Sequence, residues 1–541
     1  MTIRTSDTRR FAIRARPARG DAGALRIVRD LDLLAPHLED AAHFPGGSAT
    51  ELVAPTTEAE VAEALRSATA VLPIGAQSSL TGGATPFGER LLSTARMRRI
   101  ERIGAEFVRV GPGVTIAALD EALAQAGLYY PPGPTFTGAF IGGTVATNAA
   151  GAATFKYGAT RNWVEGLTVV LPTGDVLDLE RGAVQAHPDG FFELELAAGL
   201  VRVPLPTYPM PKVAKLSAGY FAAPEMDLID LFIGSEGTLG VVTSITLRVL
   251  PRRPAFCLAL VPFRDRRRAL SLVRHLRETA IGTWRAHDDR GVDVSAIEHM
   301  DARSLALVRE DRIDTLTGVS LGADVATALL VVLELSSETT AGLAFEQIGR
   351  AQDADAPDTP LVRFCRMLGA AGVLDEVEIA VPGDERRGAQ LLALREAVPA
   401  AVNTRIGRAQ RVDPSIQKMG ADVIVPVGHI DELLDFCDAQ FRHRGLDAAV
   451  WGHISDGNIH PNVLSRSADE VVAAREAVLA IGREAIRLGG APLAEHGVGR
   501  NPVKQLLLRE LYGEQGVEEM RRVKRAIDPE WKLAPGVLFQ R

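Results

Sequence analysis

Pro73-Ile-Gly-Ala-Gln-Ser-Ser-Leu-Thr-Gly-Gly83 and Phe140-Ile-Gly-Gly-Thr-Val-Ala-Thr-Asn-Ala-Ala-Gly151 are built almost wholly from small residues. Small residues let backbone N–H groups converge on an anion with no side chain in the way. Hydroxyls at Ser78, Ser79, Thr81 and Thr144 can add donors. A diphosphate is the natural guest for two such loops. Neither has the GxGxxG spacing of a dinucleotide-binding turn or the GxxxxGK[ST] spacing of a P-loop, which counts against NAD and ATP.

Outward from these loops the pattern alternates. Residues 51–57 read as a strand leading into a helix over 58–69, capped by Thr57 with Glu60 three residues on. Residues 71–74 form a short apolar run. A strand is predicted at 107–110 and a helix at 115–126. Residues 167–171 and 176–179 flank the turn-like Pro172-Thr-Gly-Asp175. The rhythm holds from about 46 to 255. Residues 181–224, with Pro204, Pro206, Pro209 and Pro211, break it and read as a surface excursion. A second region begins near Pro254, with a strand at 328–335, a helix at 389–397 and a strand at 423–426. Residues 495–541 offer a glycine loop, two helical stretches and a terminal Pro-Gly turn.

At 541 residues and 46% hydrophobic content the chain exceeds one core and suggests two or three domains. A formal net charge of −8 disfavours a nucleic-acid partner. The three cysteines, Cys257, Cys365 and Cys437, are far apart and form no CxxC pair. A disulfide framework or thiolate cluster is disfavoured, and a reducing, cytoplasmic location fits. No run of about 18 apolar residues reads as a membrane span. Six arginines and one acid fall in the first twenty residues. Asp7-Thr8-Arg9-Arg10-Phe11 faintly resembles a twin-arginine signal, and an Arg-rich arm also suits a transit peptide. No apolar segment follows, so residues 1–45 read as a disordered arm and lead-in.

A third segment, Leu231-Phe-Ile-Gly-Ser-Glu-Gly-Thr-Leu-Gly-Val-Val-Thr243, joins the two loops. Together the three resemble the FAD-binding domain of the vanillyl-alcohol oxidase, or PCMH-type, flavoproteins over roughly residues 46–255. The resemblance implies an α+β fold in which the first loop wraps the FAD diphosphate, the second runs along the flavin and the third closes the site. It implies contacts at Gly75, Ala76, Gln77, Ser78, Ser79 and Thr81, at Gly142, Gly143, Thr144, Asn148 and Gly151, at Tyr157 and Gly158, and at Val242. Ala76 and Gln77 depart from the Gly-Gly-Gly-Thr usual in the first loop. Some relatives link FAD covalently through a His or Cys in these loops; neither loop contains one, so noncovalent FAD is expected.

The stretch Ala448-Ala-Val-Trp-Gly-His-Ile-Ser-Asp-Gly-Asn-Ile-His-Pro-Asn-Val-Leu464 carries the second argument. Gly452, Gly457 and Pro461 speak against a helix. Asp456-Gly457 predicts a two-residue hairpin turn. In that register Ser455 opposes Asn458 and His453 opposes His460, with Asn462 on the same face. Paired imidazoles suit zinc and similar divalent ions. Glu495, beside His496 in Ala491-Pro-Leu-Ala-Glu-His-Gly-Val-Gly-Arg500, offers a third ligand, and an adjacent unliganded His can act as a base.

Gly452-His453-x-x-Asp-Gly-Asn-x-His460 and Glu495-His496-Gly-x-Gly499 are similar to motifs of the D-lactate, glycolate and D-2-hydroxyglutarate dehydrogenase group. The resemblance implies a divalent metal, zinc or manganese, on His453, His460 and Glu495, a catalytic base at His496 and a substrate contact at Asn462. Arg395 and Lys418 match an arginine and a lysine of the group and would hold a carboxylate. Pro399 stands where a hydroxyl residue often follows that arginine, and Lys418 lies slightly far from its strand. Lys215-Leu-Ser-Ala-Gly-Tyr220 fits a family segment without an assigned role. The implied activity is oxidation of a small 2-hydroxy acid, of D configuration, to the 2-oxo acid. Electrons would pass to a quinone, a cytochrome or another flavoprotein, and peripheral membrane contact is allowed. The expected division is 46–255 for FAD, 256–480 for substrate and 481–541 returning to the flavin. Two alternatives share the architecture: an ether-lipid alkyl-transferase, whose relatives carry a run of histidines this chain lacks, and an FAD-binding accessory subunit, which lacks the metal hairpin.

Overall fold

A computed structural model describes residues 10–23, 25–132, 136–319 and 321–541. The N-terminal half is built on two sheets. One has four strands in the order Ile27–Val28, Glu51–Val53, Arg90–Ser93, Val71–Ile74, the last three parallel. Parallel strands need a crossover connection, and helix Glu58–Arg66 supplies it between Glu51–Val53 and Val71–Ile74, the two strands that flank Arg90–Ser93. Its start follows the predicted cap: Thr57 Oγ1 accepts the Glu60 N–H at 3.2 Å, and Glu60 reaches back to the Thr56 N–H at 2.6 Å. The second sheet has five strands in the order Val176–Glu180, Val164–Val170, Val241–Arg248, Phe107–Val110, Ile100–Ile103, all antiparallel.

The second region is an antiparallel sheet of eight strands. Strand Thr327–Leu335, near its centre, is apolar almost throughout because both faces are covered. Successive side chains point to opposite faces. Leu329, Val331 and Leu333 therefore join a core with helices Arg266–Ala286, Pro360–Ala370, Ile430–Arg444 and Ala468–Arg487. Ala328 and Leu330 join another with helices Ala302–Glu310 and Glu385–Val412. Helix Glu385–Val412 runs through Pro399 and far exceeds the nine residues expected from the sequence.

Helix Pro502–Ile527 carries the chain back across the molecule. Gly513, at φ 71°, breaks it into two stretches. Val503 and Leu507 pack in the core of the second region, while Leu508, Tyr512, Val517 and Met520 pack in that of the first. Among the described residues no helix is long and apolar enough to cross a membrane.

Two expectations change. The described part of the N-terminal arm is docked: Ala12–Arg14 pairs in parallel with Phe191–Leu196, and Arg16 is held by Glu58 at 2.5 Å and Asp178 at 2.5 Å. Paired carboxylates at both ends of one guanidinium tether this stretch. Asp7, Thr8 and Arg9 of the twin-arginine reading lie outside the described residues. The excursion 181–224 is also integral. It holds the hairpin Phe191–Leu196 with Gly199–Pro204, and it buries Tyr208, Lys215 and Tyr220. The alternation in Phe191-Phe-Glu-Leu-Glu-Leu196, upstream of the prolines, is a strand signal.

Candidate functional site

A cavity of about 700 Å³ lies where the two regions and the returning C-terminal segment meet. Its size falls within the range of small-molecule and cofactor sites. Gly75, Ala76, Gln77, Ser78 and Ser79 line it, as do Gly142, Gly143, Thr144, Gly151 and Val242. So do Arg395, Lys418, His453, His460, Asn462, Glu495 and His496. Residues on separate elements of both regions therefore face one space.

The first loop leaves strand Val71–Ile74 and is pinned at its far end by Asp40, whose carboxylate accepts the Gly82 N–H at 2.6 Å. Among the described residues the backbone N–H groups of 75–80 donate to no acceptor, and all six residues are half-buried at the cavity. Backbone donors withdrawn from water are nearly always paired, so this run suits an anionic ligand. Gly143 has nothing within 4 Å of where a Cβ would stand, while Gly142 is backed by Pro112, 2.5 Å from such a Cβ. One glycine thus opens on the cavity and its neighbour lies against the wall. These features fit a diphosphate-bearing cofactor.

Four residues expected at that cofactor do not line the cavity. Thr81 is buried beneath the loop, its hydroxyl 3.2 Å from Ser79 Oγ and its carbonyl accepting the Arg500 N–H. Asn148, at φ 48°, donates to the Leu216 carbonyl and accepts from the Arg161 N–H. Tyr157 donates to Glu334 at 2.7 Å, beside Lys156, which bridges Asp293 and Glu334 at 2.6 Å each. Gly158 ends the short helix before it in a left-handed conformation. All four brace the surroundings of the cavity. The Gln77 side chain also turns outward, donating to the carbonyls of His37 and Ala84 at 2.9 Å each.

The histidine hairpin forms with a different register. Trp451, not His453, stands opposite His460. Ile454–Asp456 makes a turn of 3-10 helix, and Gly457 closes it at φ 86°, so the connection is longer than two residues. Gly457 is required there, since a Cβ would lie 2.1 Å from the Val425 carbonyl oxygen. The slip is two residues, which preserves the face. The two imidazoles still meet, with ring centroids 5.4 Å apart.

His453 Nε2 lies 3.3 Å from Glu495 Oε1, and His460 Nε2 lies 3.6 Å from Glu495 Oε2. Ligand atoms about 2.0–2.1 Å from a tetrahedral ion sit roughly 3.3 Å from one another, so this donor set fits a small divalent metal. The three side chains are buried. Burial pushes the His460 imidazole down to about 4, which keeps it neutral and available as a ligand. Burial also works against charge on His453, but Glu298 and Glu495 outweigh it and raise its pKa to about 9. Glu495 is held well below the usual carboxylate range: burial opposes its charge, but His453 and Lys215 prevail.

Around this set stand charged residues that the sequence reading did not assign. Glu298 faces His453 across adjacent strands and accepts from its Nδ1 at 2.7 Å. The other Glu298 oxygen is held by Arg395 through Nε at 2.9 Å and Nη2 at 2.8 Å. Two Arg395 donors are therefore committed to protein. Lys215 is wholly buried, 2.5 Å from Glu495 Oε1 and 2.9 Å from Asp456 Oδ2. Asp422 accepts the backbone N–H groups of Glu495 and His496 at 2.9 Å each and lies 3.1 Å from His496 Nδ1. Lys418 has no acidic partner among the described residues, and burial together with Lys504 lowers its pKa to about 8. Asn462 lines the cavity and donates to the His460 carbonyl at 3.1 Å. An acid beside an apolar run, as in Ala421-Asp-Val-Ile-Val425, was a signal for Asp422, since unpaired charge is rarely buried.

Comparisons agree with this geometry. Residues 262–538, more than half of the chain, match the family model described as FAD linked oxidases, C-terminal domain, and residues 49–180 match the model described as FAD binding domain. A protein named D-lactate dehydrogenase from Anaerostipes hadrus is 27% identical over 86% of this chain and 83% of its own length. One named D-2-hydroxyglutarate dehydrogenase from Xanthomonas citri pv. viticola is 29% identical over 87% of this chain and 84% of its own. The solved structure of p-cresol methylhydroxylase with substrate bound covers 95% of this chain and 94% of its own at a TM-score of 0.64 and 15% identity, a likeness of fold. Unsatisfied donors along the first loop and two family models that between them span both sides of the cavity lead to one assignment: the chain belongs to the FAD-linked oxidases.

Proposed function

We propose that this chain is an FAD-dependent dehydrogenase that converts a small D-2-hydroxy acid into its 2-oxo acid with the help of a divalent metal, zinc or manganese. One observation carries the reading: His453, His460, Glu495 and His496 share a single cavity with the small-residue loops 75–79 and 142–144. The names of the relatives support the substrate class. We assign residues 46–255 to the flavin domain, 256–480 to the substrate domain and 481–541 to the returning segment.

FAD, noncovalently bound by the loop residues that line the cavity, supplies the two-electron acceptor. A divalent ion on His453, His460 and Glu495 supplies a Lewis acid that lowers the pKa of a hydroxyl. His496 takes the hydroxyl proton at Nε2, because Nδ1 is turned to Asp422. The Asp422 carboxylate orients the ring and stabilises the imidazolium that forms. Lys418 holds the substrate carboxylate by a charge-assisted contact, and Asn462 contacts the substrate from the neighbouring strand. Arg395, with two donors on Glu298, adds positive charge to the same wall but not a two-pronged clamp. Electrons leave to an external acceptor.

The test is anaerobic mixing of the yellow protein with D and L forms of several 2-hydroxy acids, followed at the flavin absorbance. Bleaching by a D-2-hydroxy acid, abolished by a chelator, is the expected result. A flavin that no 2-hydroxy acid reduces would overturn the proposal.

A further inference from the structure

Loop 495–499, which carries Glu495 and His496, is held from both sides. On the substrate side Asp422 accepts its first two N–H groups, and Lys504 donates to the Gly497 carbonyl at 3.3 Å. On the flavin side Glu236 accepts the Val498 N–H through Oε1 and the Gly499 N–H through Oε2, both at 2.8 Å.

Glu236 is built into the cofactor end of the cavity. It lines that cavity, and its own N–H donates to the Ala146 carbonyl at 2.8 Å, on the helix that carries Gly142 and Gly143. Its backbone stands in the left-handed region at φ 52°, a conformation that a non-glycine residue adopts only when the surroundings impose it. The fit to the loop is tight: a Cβ on Gly497 would lie 2.8 Å from Glu236 Oε1. A second tie runs beside it. The Arg500 N–H donates to the Thr81 carbonyl at 3.0 Å, at the end of the first small-residue loop.

From this arrangement we infer that Glu236 is a positioning residue that couples the flavin loops to loop 495–499, so that FAD binding fixes the loop bearing the metal ligand and the base. The physical reason is geometric. One carboxylate spans two successive N–H groups, and its backbone is fixed by the helix whose Gly143 opens on the cavity. A cofactor seated against Gly143 and residues 235–237 restrains Glu236, and Glu236 restrains Val498 and Gly499. Linkage requires the converse as well, since coupling between two binding sites is reciprocal. The inference rests on the FAD reading of the cavity and, in its second readout, on the metal reading.

Hydrogen exchange read by mass spectrometry tests it without turnover. In wild type, adding FAD to flavin-free protein is expected to slow exchange of the 498–499 amides by roughly 5- to 150-fold, the range of ordinary site-to-site coupling. Glu236→Gln keeps the length but sets an amide NH2 against one of the two N–H groups. It should still bind FAD and turn yellow, yet lose that FAD-dependent slowing. Glu236→Asp, one methylene shorter, should lose it too. Exchange unaffected by FAD in wild type, or slowed equally in both variants, would overturn the inference; the wild-type comparison decides even if neither variant folds. Manganese titration supplies the second readout, with tighter binding expected in the FAD-loaded wild type than in the flavin-free form. Equal affinity in the two forms would contradict the coupling. No manganese binding in either form would remove the metal reading, and the exchange result would still decide for or against Glu236.

Discussion

Asp422 Oδ2 lies 3.1 Å from Nδ1 of His496 and accepts the backbone N–H of the same residue at 2.9 Å. One carboxylate oxygen thus fixes both the main chain and the ring. Burial opposes its charge, but His496, His460 and Lys504 hold Asp422 well below the usual carboxylate range. An ionised acceptor on Nδ1 selects the tautomer whose Nε2 lone pair is free to take a proton.

A His496→Ala variant should therefore keep FAD and metal but reduce its flavin more slowly under anaerobic conditions, by about 100- to 10,000-fold. Asp422→Asn should retain much of the loop's frame and still lose rate, because the stabilising charge is gone. Stopped-flow reduction with saturating 2-hydroxy acid isolates this step from the acceptor. A wild-type rate in the His496 variant would leave it as a residue that only braces the glycine loop.

The metal cluster makes a compositional prediction. Chelation should abolish turnover while the protein stays yellow, and zinc or manganese should restore it. Single changes His453→Ala and His460→Ala should each lose metal, because each removes one of three buried ligands. Elemental analysis finding a full complement in both variants would reject the site.

Local signals in the sequence reached far into this structure, and their failures have physical causes. Thr57 with Glu60 marked a helix start, because a cap is a local interaction. The His453 and His460 pair was legible because strand parity survives a slip of two residues, although the turn type did not. Glu298, Lys215 and Asp456 went unassigned because their partners are remote: 155 residues separate Glu298 from His453, and 280 separate Lys215 from Glu495. Tyr157 was placed at the cofactor by resemblance, yet its hydroxyl serves Glu334 across the boundary between the two regions. Pairings of that kind are set by docking of whole sheets and leave no mark in a local stretch.

Lys418 predicts a pH dependence of binding. Burial and the nearby Lys504 lower its pKa to about 8, so the ammonium is present below that pH and lost above it. A substrate carboxylate held by this group should bind well on the acid side and progressively less well as pH rises past about 8. Affinity for an unreactive 2-oxo acid, read from the perturbed flavin spectrum, checks this. Lys418→Met should bind weakly at every pH, with a flatter profile. A wild-type affinity that does not fall on the alkaline side would show that the carboxylate is held elsewhere.

Arg395 holds one oxygen of Glu298, and His453 Nδ1 is 2.7 Å from the other. Burial would raise the Glu298 pKa, but Arg395 and His453 lower it to about 2, so the group is ionised at physiological pH. A carboxylate behind a ligating histidine fixes ring and tautomer and raises ligand basicity; losing such a partner typically weakens metal binding about 10- to 100-fold. Glu298→Gln keeps the shape and removes the charge, so it should bind FAD normally and metal more weakly, by that factor. Glu298→Ala is the harsher change, because it leaves the half-buried Arg395 guanidinium without its partner; truncating one member of a fully buried pair costs about 3–5 kcal/mol, which is the upper bound here. Thermal unfolding should separate the two, with the Ala variant clearly less stable. Metal affinity by chelator competition is the deciding measurement. If Glu298→Gln bound metal as tightly as wild type, Glu298 would serve only as the counter-ion of Arg395, and His453 would need no support from behind.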